Sequence, residues 1–212
     1  MKNTTKVRGS NKDHTGTSPS AWVKYFSHLV PKGPVLDVAA GSGRHSKLFS
    51  KLGHEVTAVD KDISQLKPFL CKGKIEALSI DLEGKSPLFS RGGPLHNHLF
   101  SGIVVVNYLH RPLTKKLLSA LAPNGVLIYD TFAAGNEAFA RPRNPKYLLK
   151  SNELINLCLK RSQIVAFEQG TLKSNSSLRV KQRIVAINNL DFSLKNNAGP
   201  SPHFIKFPGI DD

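Results

Sequence analysis

The sequence predicts an α/β protein with a doubly wound, mostly parallel seven-stranded sheet, helices on both faces and a C-terminal antiparallel hairpin. Short apolar runs alternate with helical segments as far as Phe132, which is the pattern of successive βαβ units. Two further alternating runs, SQIVAFEQGTL and LRVKQRIVAIN, are separated only by the polar KSNSS. That spacing indicates a hairpin.

The first half of the chain supplies three strands. A helix is predicted over SPSAWVKYFSHLV, with Ser18 as its N-cap and Pro19 at the first helical position. PVLDVA predicts a strand buried on both faces, and RHSKLFSKLG predicts the helix after it. HEVTAVD is the second strand. ISQLKPFL is a short helix capped by Asp62 and interrupted by Pro68, and KIEALSIDLEG contains the third strand.

The second half begins with the most apolar strand, SGIVVVNYL. RPLTKKLLSALAPNG then predicts a helix with Pro112 near its start, and GVLIYDTF predicts the fifth strand. SNELINLCLKR is a helix capped by Ser151. Between them, AAGNEAFARPRNPKYLLK is longer than a connector needs to be, so we expect a functional loop there.

The 212 residues predict one domain, 18–190, between a disordered leader (1–17) and a tail (191–212). Hydrophobic residues make up 40% and charged residues 21%, as in soluble globular proteins. No apolar run is long enough to cross a membrane, and the first residues have no signal-peptide core. Cys71 and Cys158 match no metal spacing, so we expect a cytoplasmic protein with reduced thiols and no metal.

The formal net charge is +15, and the basic residues concentrate towards the C-terminal end. Residues 141–183 contain ten Lys or Arg and two Glu. This excess favours a polyanionic partner such as RNA. A generally basic surface without a nucleic-acid partner is an equally valid interpretation, because net charge does not define a site.

The glycine-rich turn at 40–44 follows the first strand, where open α/β sheets bind their ligands. Gly41 and Gly43 allow a close backbone approach. A dinucleotide turn, G-x-G-x-x-G/A, would need glycine or alanine where Ser46 stands. Asp37 would also place a carboxylate near a pyrophosphate. The turn therefore suits a cofactor without phosphate and with a cationic end, such as S-adenosylmethionine (SAM).

The segment LDVAAGSGRHS resembles motif I of the class I SAM-dependent methyltransferases, D/E-x-G-x-G-x-G, with Ala39 in place of the first glycine. This resemblance implies a SAM-dependent enzyme in which Asp37, Ala39, Gly41 and Gly43 line the methionine end of the cofactor. Asp60, which ends the second strand, would bind the ribose hydroxyls, since a carboxylate accepts two O–H donors.

The same resemblance assigns the next strand ends. Lys61 and Asp62 would flank the adenine, Asp81 would receive its amino group and Leu82 would pack on the ring. Asn107 would lie nearest the transferable methyl. A single acid at a strand end is more often a turn residue, whereas three acids in register with a glycine turn favour the cofactor.

Residues that follow the fourth strand could take part in the transfer step. Tyr108 and His110 are candidate bases or orienting groups, and Arg111 is a candidate anion contact. As alternatives, His110 caps the following helix and Arg111 pairs with a surface acid.

The predicted functional loop should overhang the substrate end of the cleft. Its candidate substrate residues are Glu137, Phe139, Arg141 and Arg143. The two arginines suit a carboxylate or phosphate group. The alternative is that they anchor the loop to the body, with Glu137 as their partner.

A small-molecule acceptor is the preferred expectation, because the chain lacks both N/D-P-P-Y/F after the fourth strand and paired catalytic cysteines. The segments around the fourth and fifth strand ends are similar to small methyltransferases of the tellurite-resistance and ubiquinone/thiopurine type. A tRNA or rRNA methyltransferase is the alternative, although aromatic residues that could stack on bases are few. A non-catalytic SAM-binding subunit is the third possibility.

Overall fold

The structure is a computed structural model that describes residues 18–70, 74–84, 88–174 and 177–189. It contains a seven-stranded sheet in the order β3-β2-β1-β4-β5-β7-β6. Strands β1 to β5 are parallel, and β7 and β6 form an antiparallel hairpin beside β5. The predicted fold class is confirmed. The predicted leader, the predicted tail and Cys71 lie outside the described residues.

The elements have the following bounds. The strands are β1 (Val35–Val38), β2 (Val56–Asp60), β3 (Ile75–Ser79), β4 (Phe100–Val106), β5 (Leu121–Phe132), β6 (Gln163–Ser174) and β7 (Ser177–Ile187). The α-helices are α1 (Ala21–Phe26), α2 (Arg44–Lys51), α3 (Lys67–Leu70), α4 (Arg111–Ser119) and α5 (Glu153–Cys158).

Two hydrophobic cores cover the two faces of the sheet. On one face, α1 and α2 contribute Trp22 and Phe49, which pack with Val104 of β4. On the other face, α4 and α5 contribute Leu117 and Leu154. The central strand β4 is buried along its whole length, as expected for a parallel strand covered by helices on both sides.

The first and last helices begin later than predicted. Helix α1 starts at Ala21 with Ser20 as its N-cap residue, not Ser18, and Pro19 precedes the helix. The backbone N–H of Ser20 donates to His45 and its hydroxyl donates to Asp130, so tertiary partners fix its extended conformation. Helix α5 starts at Glu153 with Asn152 as its N-cap residue, not Ser151.

The boundary between α4 and β5 also differs from the prediction. The helix ends at Ser119, and the strand already begins at Leu121, so the APNG segment belongs to the strand. Leu121 pairs with Phe100 before the register shifts. The strand pairing thus outweighs the helical pattern of this segment.

The predicted functional loop is irregular but attached to the body. Short 3₁₀ helices occupy Asn136–Ala138 and Pro145–Tyr147. Ala133 forms an isolated parallel bridge with Leu149. The buried Asn136 also accepts a hydrogen bond from the backbone N–H of Val180 in β7.

A buried glutamine joins the hairpin to α5. The Oε1 atom of Gln182 accepts from the backbone N–H of Leu154 at 2.7 Å, and its Nε2 donates to the carbonyl of Lys150 at 3.1 Å and to Oε1 of Gln169 at 2.7 Å. Gln182 is fully buried. The buried side chain of Gln182 therefore supplies a hydrogen-bond acceptor for a backbone N–H group in the first turn of α5.

We expect Gln182→Leu to lower the free energy of unfolding by about 2–4 kcal/mol, because it leaves buried polar groups without partners. Urea denaturation measures this change, with Gln65→Leu at an exposed position as the control. Equal stability of the two variants would contradict this role of Gln182.

Candidate functional site

The turn between β1 and α2 is built from left-handed backbone conformations. Ala39, Gly41 and Gly43 have φ values of 54°, 54° and 70°. A Cβ on Gly43 would lie 2.2 Å from Cδ2 of the buried Leu66, whereas a Cβ on Gly41 would meet no atom within 4 Å. Gly43 is therefore required by packing, and Gly41 presents its backbone to open space. Ala39 accepts a conformation that glycine adopts without strain.

Asp37 lies beneath this turn and is almost completely buried. Its carboxylate accepts hydrogen bonds from both the backbone N–H (2.9 Å) and the hydroxyl (2.6 Å) of Ser46, in the first turn of α2. Burial raises the pKa of Asp37 to about 6, although the bonds from Ser46 oppose the shift. In this structure Asp37 fixes the start of α2. Its contact with a cofactor stays a prediction.

Asp60 joins the end of β2 to the glycine turn. One carboxylate oxygen accepts the backbone N–H of Gly41 at 2.8 Å, and the other accepts that of Asp62 at 3.0 Å. A carboxylate oxygen has a second lone pair, so both oxygens can still accept a ligand hydroxyl. Two of the sequence-predicted residues, Gly41 and Asp60, are thus in direct contact.

Asp81 follows β3 and forms the neighbouring part of the site. Its carboxylate accepts from Nζ of Lys61 at 3.2 Å and from the backbone N–H of Glu83 at 3.0 Å. These hydrogen bonds, above all the one from Glu83, lower the pKa of Asp81. A cavity of about 100 Å³ beside it is lined by Asp81, Leu82, Phe89, His110 and Lys116, among others. The structure thus brings Lys61, which is predicted to flank the adenine, into contact with Asp81.

His110 lines this same cavity. It is the N-cap residue of α4, as the capping alternative expected, but its side chain makes no capping hydrogen bond. The structure groups His110 with the predicted adenine residues. His110 does not line the cavity that contains Asn107.

Tyr108 has a buried hydroxyl that has no hydrogen-bond partner among the described residues. Burial raises its pKa well above the ordinary value for tyrosine, and the carboxylates of Glu83, Asp81 and Asp60 raise it further. A phenol in such surroundings keeps its proton. Tyr108 is therefore suited to donate a hydrogen bond to a ligand rather than to act as a base.

Asn107 leads to a group of residues that sequence reasoning missed. Its φ is 57°, and its Oδ1 accepts a hydrogen bond from Nζ of Lys181 in β7. Lys181 also donates to Asp130 of β5 at 2.9 Å, and Ser20 donates to the other carboxylate oxygen at 2.8 Å. The guanidinium of Arg183 approaches Asp130 to 3.6 Å.

The charged residues of this group shift one another's pKa values. Burial raises the pKa of Asp130, but Lys181 and Arg183 lower it more, and the net shift is downward. Burial lowers the pKa of Lys181, with Asp130 opposing the shift. Burial also lowers the pKa of His45 to about 3, so its neutral ring can accept the backbone N–H of Ser20.

A second cavity, of about 250 Å³, opens at this group. It is lined by Ser20, Arg44, Val106, Asn107, Asp130, Phe132, Arg179 and Lys181. The sequence contained a signal for this group of residues. Asp130 interrupts one apolar strand, and Lys181 and Arg183 interrupt another at alternate positions. The pairing of Asp130 opposite Arg183 follows only from the register of the hairpin.

Arg111 anchors the predicted functional loop. Its guanidinium makes a bidentate pair with Glu153, at 2.7 and 2.9 Å, and donates to the carbonyls of Lys146 and Leu148. These contacts raise its pKa, chiefly through the hydrogen bond with Glu153. Pairing with an acid was the alternative to the predicted anion contact, and the structure favours it.

The other loop candidates are exposed and line neither cavity: Glu137, Phe139, Arg141 and Arg143. Glu137 accepts the backbone N–H of Gly135 at 2.8 Å rather than pairing with either arginine. Neither arginine has an ion pair within the described ranges. The predicted anchoring pair is therefore wrong, and contact of the four residues with a substrate stays a prediction.

Solved structures with the same fold support this picture of the sheet. TehB from Haemophilus influenzae is 18% identical with a TM-score of 0.63, and the match covers 79% of this chain and 61% of TehB. A SAM-dependent methyltransferase from Methanosarcina mazei is 16% identical with a TM-score of 0.58, over 79% of this chain and 98% of that one. This chain has the fold of the SAM-dependent methyltransferases.

A third structure with this fold contains ligands. It is the 1,6-didemethyltoxoflavin-N1-methyltransferase of Burkholderia thailandensis with bound 1,6-didemethyltoxoflavin and S-adenosylhomocysteine (SAH). It is 18% identical with a TM-score of 0.56, over 80% of this chain and 76% of that one. No family model matches the sequence, and no curated protein matches it either.

The described residues contain no cluster of three or more His, Cys, Asp or Glu side chains that could hold a metal ion. No helix in the same part of the chain is long and apolar enough to cross a membrane.

The buried carboxyl of Asp37 should make stability depend on pH. Its pKa of about 6, against an ordinary 3.8, means that the folded protein holds this proton more tightly than the unfolded chain does. The resulting stabilisation is complete below pH ~4 and is lost as the pH rises through ~6.

Asp37→Asn removes this titration, so its stability relative to the wild type should increase by about 3 kcal/mol between pH 4 and pH 7.5. Urea unfolding of both proteins across this range measures the difference. A difference that does not change with pH would contradict the shifted pKa.

The two glycines of the turn should respond differently to alanine. Gly43→Ala adds both backbone strain and overlap with Leu66, and we expect a loss of about 2–4 kcal/mol. Gly41→Ala adds strain alone and should cost about 1 kcal/mol. Thermal or urea unfolding compares the two, and an equal loss would show that packing against Leu66 is unimportant.

Proposed function

We propose that this protein is a SAM-dependent methyltransferase that acts on a small-molecule acceptor. One observation carries the proposal: the left-handed glycine turn after β1 and the carboxylate of Asp60 after β2 are in direct contact, with Asp81 after β3 beside them. All three lie at the carboxyl edge of a sheet with the methyltransferase order of strands. Such an edge is where open α/β sheets bind ligands.

The residues present fit the chemistry of SAM. Asp60 can accept the two ribose hydroxyls without giving up its bond to Gly41. Asp81 and Leu82 line a cavity that offers an acceptor and an apolar wall to an adenine. The orphaned hydroxyl of Tyr108 supplies a donor nearby. The open space at Gly41 admits a ligand that a side chain would block.

The chain would contribute alignment rather than proton transfer. SAM, when bound, supplies a methyl group activated by its sulfonium. Asn107 is held in a left-handed conformation and bonded to Lys181, so the end of β4 is rigid. Asp130 is already bonded to Lys181 and Ser20, and Tyr108 keeps its proton. Fixed geometry can supply much of the rate enhancement of a displacement reaction.

A small acceptor is favoured over RNA by the placement of basic residues. Lys181 is buried and Arg183 is mostly buried, and both neutralise Asp130. Arg183 also lies over the ring of Trp22, 5.7 Å from its centroid. Part of the basic excess in 141–183 is therefore internal and cannot track a phosphate backbone. We also propose that the protein is cytoplasmic and that its methyltransferase domain spans residues 18–190.

We expect Asp60→Ala to weaken SAH binding at least tenfold, about 1.4 kcal/mol, because the ribose hydroxyls lose their acceptor. Asp60→Asn should be intermediate, since its amide oxygen can still accept from Gly41. Isothermal titration calorimetry measures both, with Glu55→Ala at the opposite end of β2 as the control. Wild-type affinity in Asp60→Ala, or no binding of SAH to the wild type, would contradict the proposal.

A further inference from the structure

The cavity at the ends of β4 and β5 has an excess of positive charge. Three cationic side chains line it, those of Arg44, Arg179 and Lys181, together with one carboxylate, that of Asp130. Asp130 is already bonded to Lys181 at 2.9 Å and lies 3.6 Å from Arg183. Asp130 is thus paired with Lys181 and Arg183, and the lining of the cavity keeps a net positive charge.

Arg179 is the cation best placed to bind a ligand. Within the described ranges its guanidinium makes one hydrogen bond, to the carbonyl of the adjacent Leu178 at 2.9 Å, and no ion pair. Most of its donors therefore remain available. A guanidinium presents those donors in a planar fork that matches a carboxylate or a phosphate.

The same cavity also has apolar walls. Val106 and Phe132 line it beside the cations, and Nζ of Lys181 lies 4.4 Å from the centroid of the Phe132 ring. The volume of about 250 Å³ is just below the range typical of drug-sized ligands. Such walls suit a small organic molecule with a carbon skeleton rather than a bare inorganic ion.

The cavity adjoins the predicted site of transfer. Asn107 directly follows β4 and lines the cavity, and Arg44 directly follows the glycine turn. An acceptor seated here would approach the end of β4 from the side of β5 and β7. The Asp81 cavity has a different lining and lies towards β3.

We propose that this cavity binds the acceptor, and that the acceptor is a small organic anion whose carboxylate or phosphate group pairs with Arg179 and Lys181. The proposal rests on the methyltransferase function and names its substrate class. Arg179 would select the anion. Lys181, which is bonded to Asn107 and Asp130, would hold the anionic group beside the end of β4.

The test uses the full-length protein saturated with SAH, so that cofactor binding is measured first and separately. The probes are benzoate, its neutral isostere benzamide, and phenyl phosphate, with dissociation constants from ligand-observed NMR titration. We expect one of the two anions to bind at least tenfold more tightly than benzamide. Benzoate as the tighter anion indicates a carboxylate acceptor, and phenyl phosphate indicates a phosphorylated one.

Two matched variants locate the site. Arg179→Gln should lose the preference for the anion and keep the wild-type affinity for SAH. Arg91→Gln, at an exposed arginine that does not line the cavity, should keep both. Failure of the wild type to bind SAH would reject the methyltransferase proposal itself.

Three results would overturn the anion proposal while SAH still binds. One is equal affinity for the anions and benzamide. Another is loss of the preference in Arg91→Gln but not in Arg179→Gln. The third is weakened SAH binding in Arg179→Gln, which would assign the cavity to the carboxylate of the cofactor.

Discussion

The buried carboxylate of Asp130 holds the start of α1 and the C-terminal hairpin against β5. It accepts hydrogen bonds from the hydroxyl of Ser20, which precedes α1, and from the ammonium of Lys181 in β7, and it forms a 3.6 Å ion pair with the guanidinium of Arg183. A carboxylate removed from water is costly unless its partners surround it. The same carboxylate therefore constrains three segments that are remote in sequence, and through Lys181 it also fixes Asn107.

Asp37 is the corresponding buried carboxylate beside the glycine turn. Its bonds to Ser46 set the start of α2, and the glycine turn closes over it. The carboxylate of Asp60 then reaches back to Gly41. One acid thus fixes the helix that follows the turn, and the other holds Gly41 within it.

The residues predicted for the transfer step do not lie together. Tyr108 and His110 were candidates for the transfer step, yet Tyr108 lies in the field of the acids after β2 and β3, and His110 lines the Asp81 cavity. Arg111 is used to anchor the loop at 145–150. The side chain bonded to that of Asn107 is Lys181, which comes from the C-terminal hairpin, and the hairpin carries none of the glycine-turn pattern.

The sequence by itself determined the order of elements, the sheet with its terminal hairpin, the glycine turn and the acids that end β2 and β3. These features are local: apolar runs define strands, glycine defines the turn, and a residue directly after a parallel strand must lie at the ligand edge. Only the tertiary structure decided the partners of Asp130, the buried state of Lys181 and the true start of α1. Those depend on the register between β5 and β7 and on the docking of α1, and contacts between residues so far apart have no periodic signal in the chain.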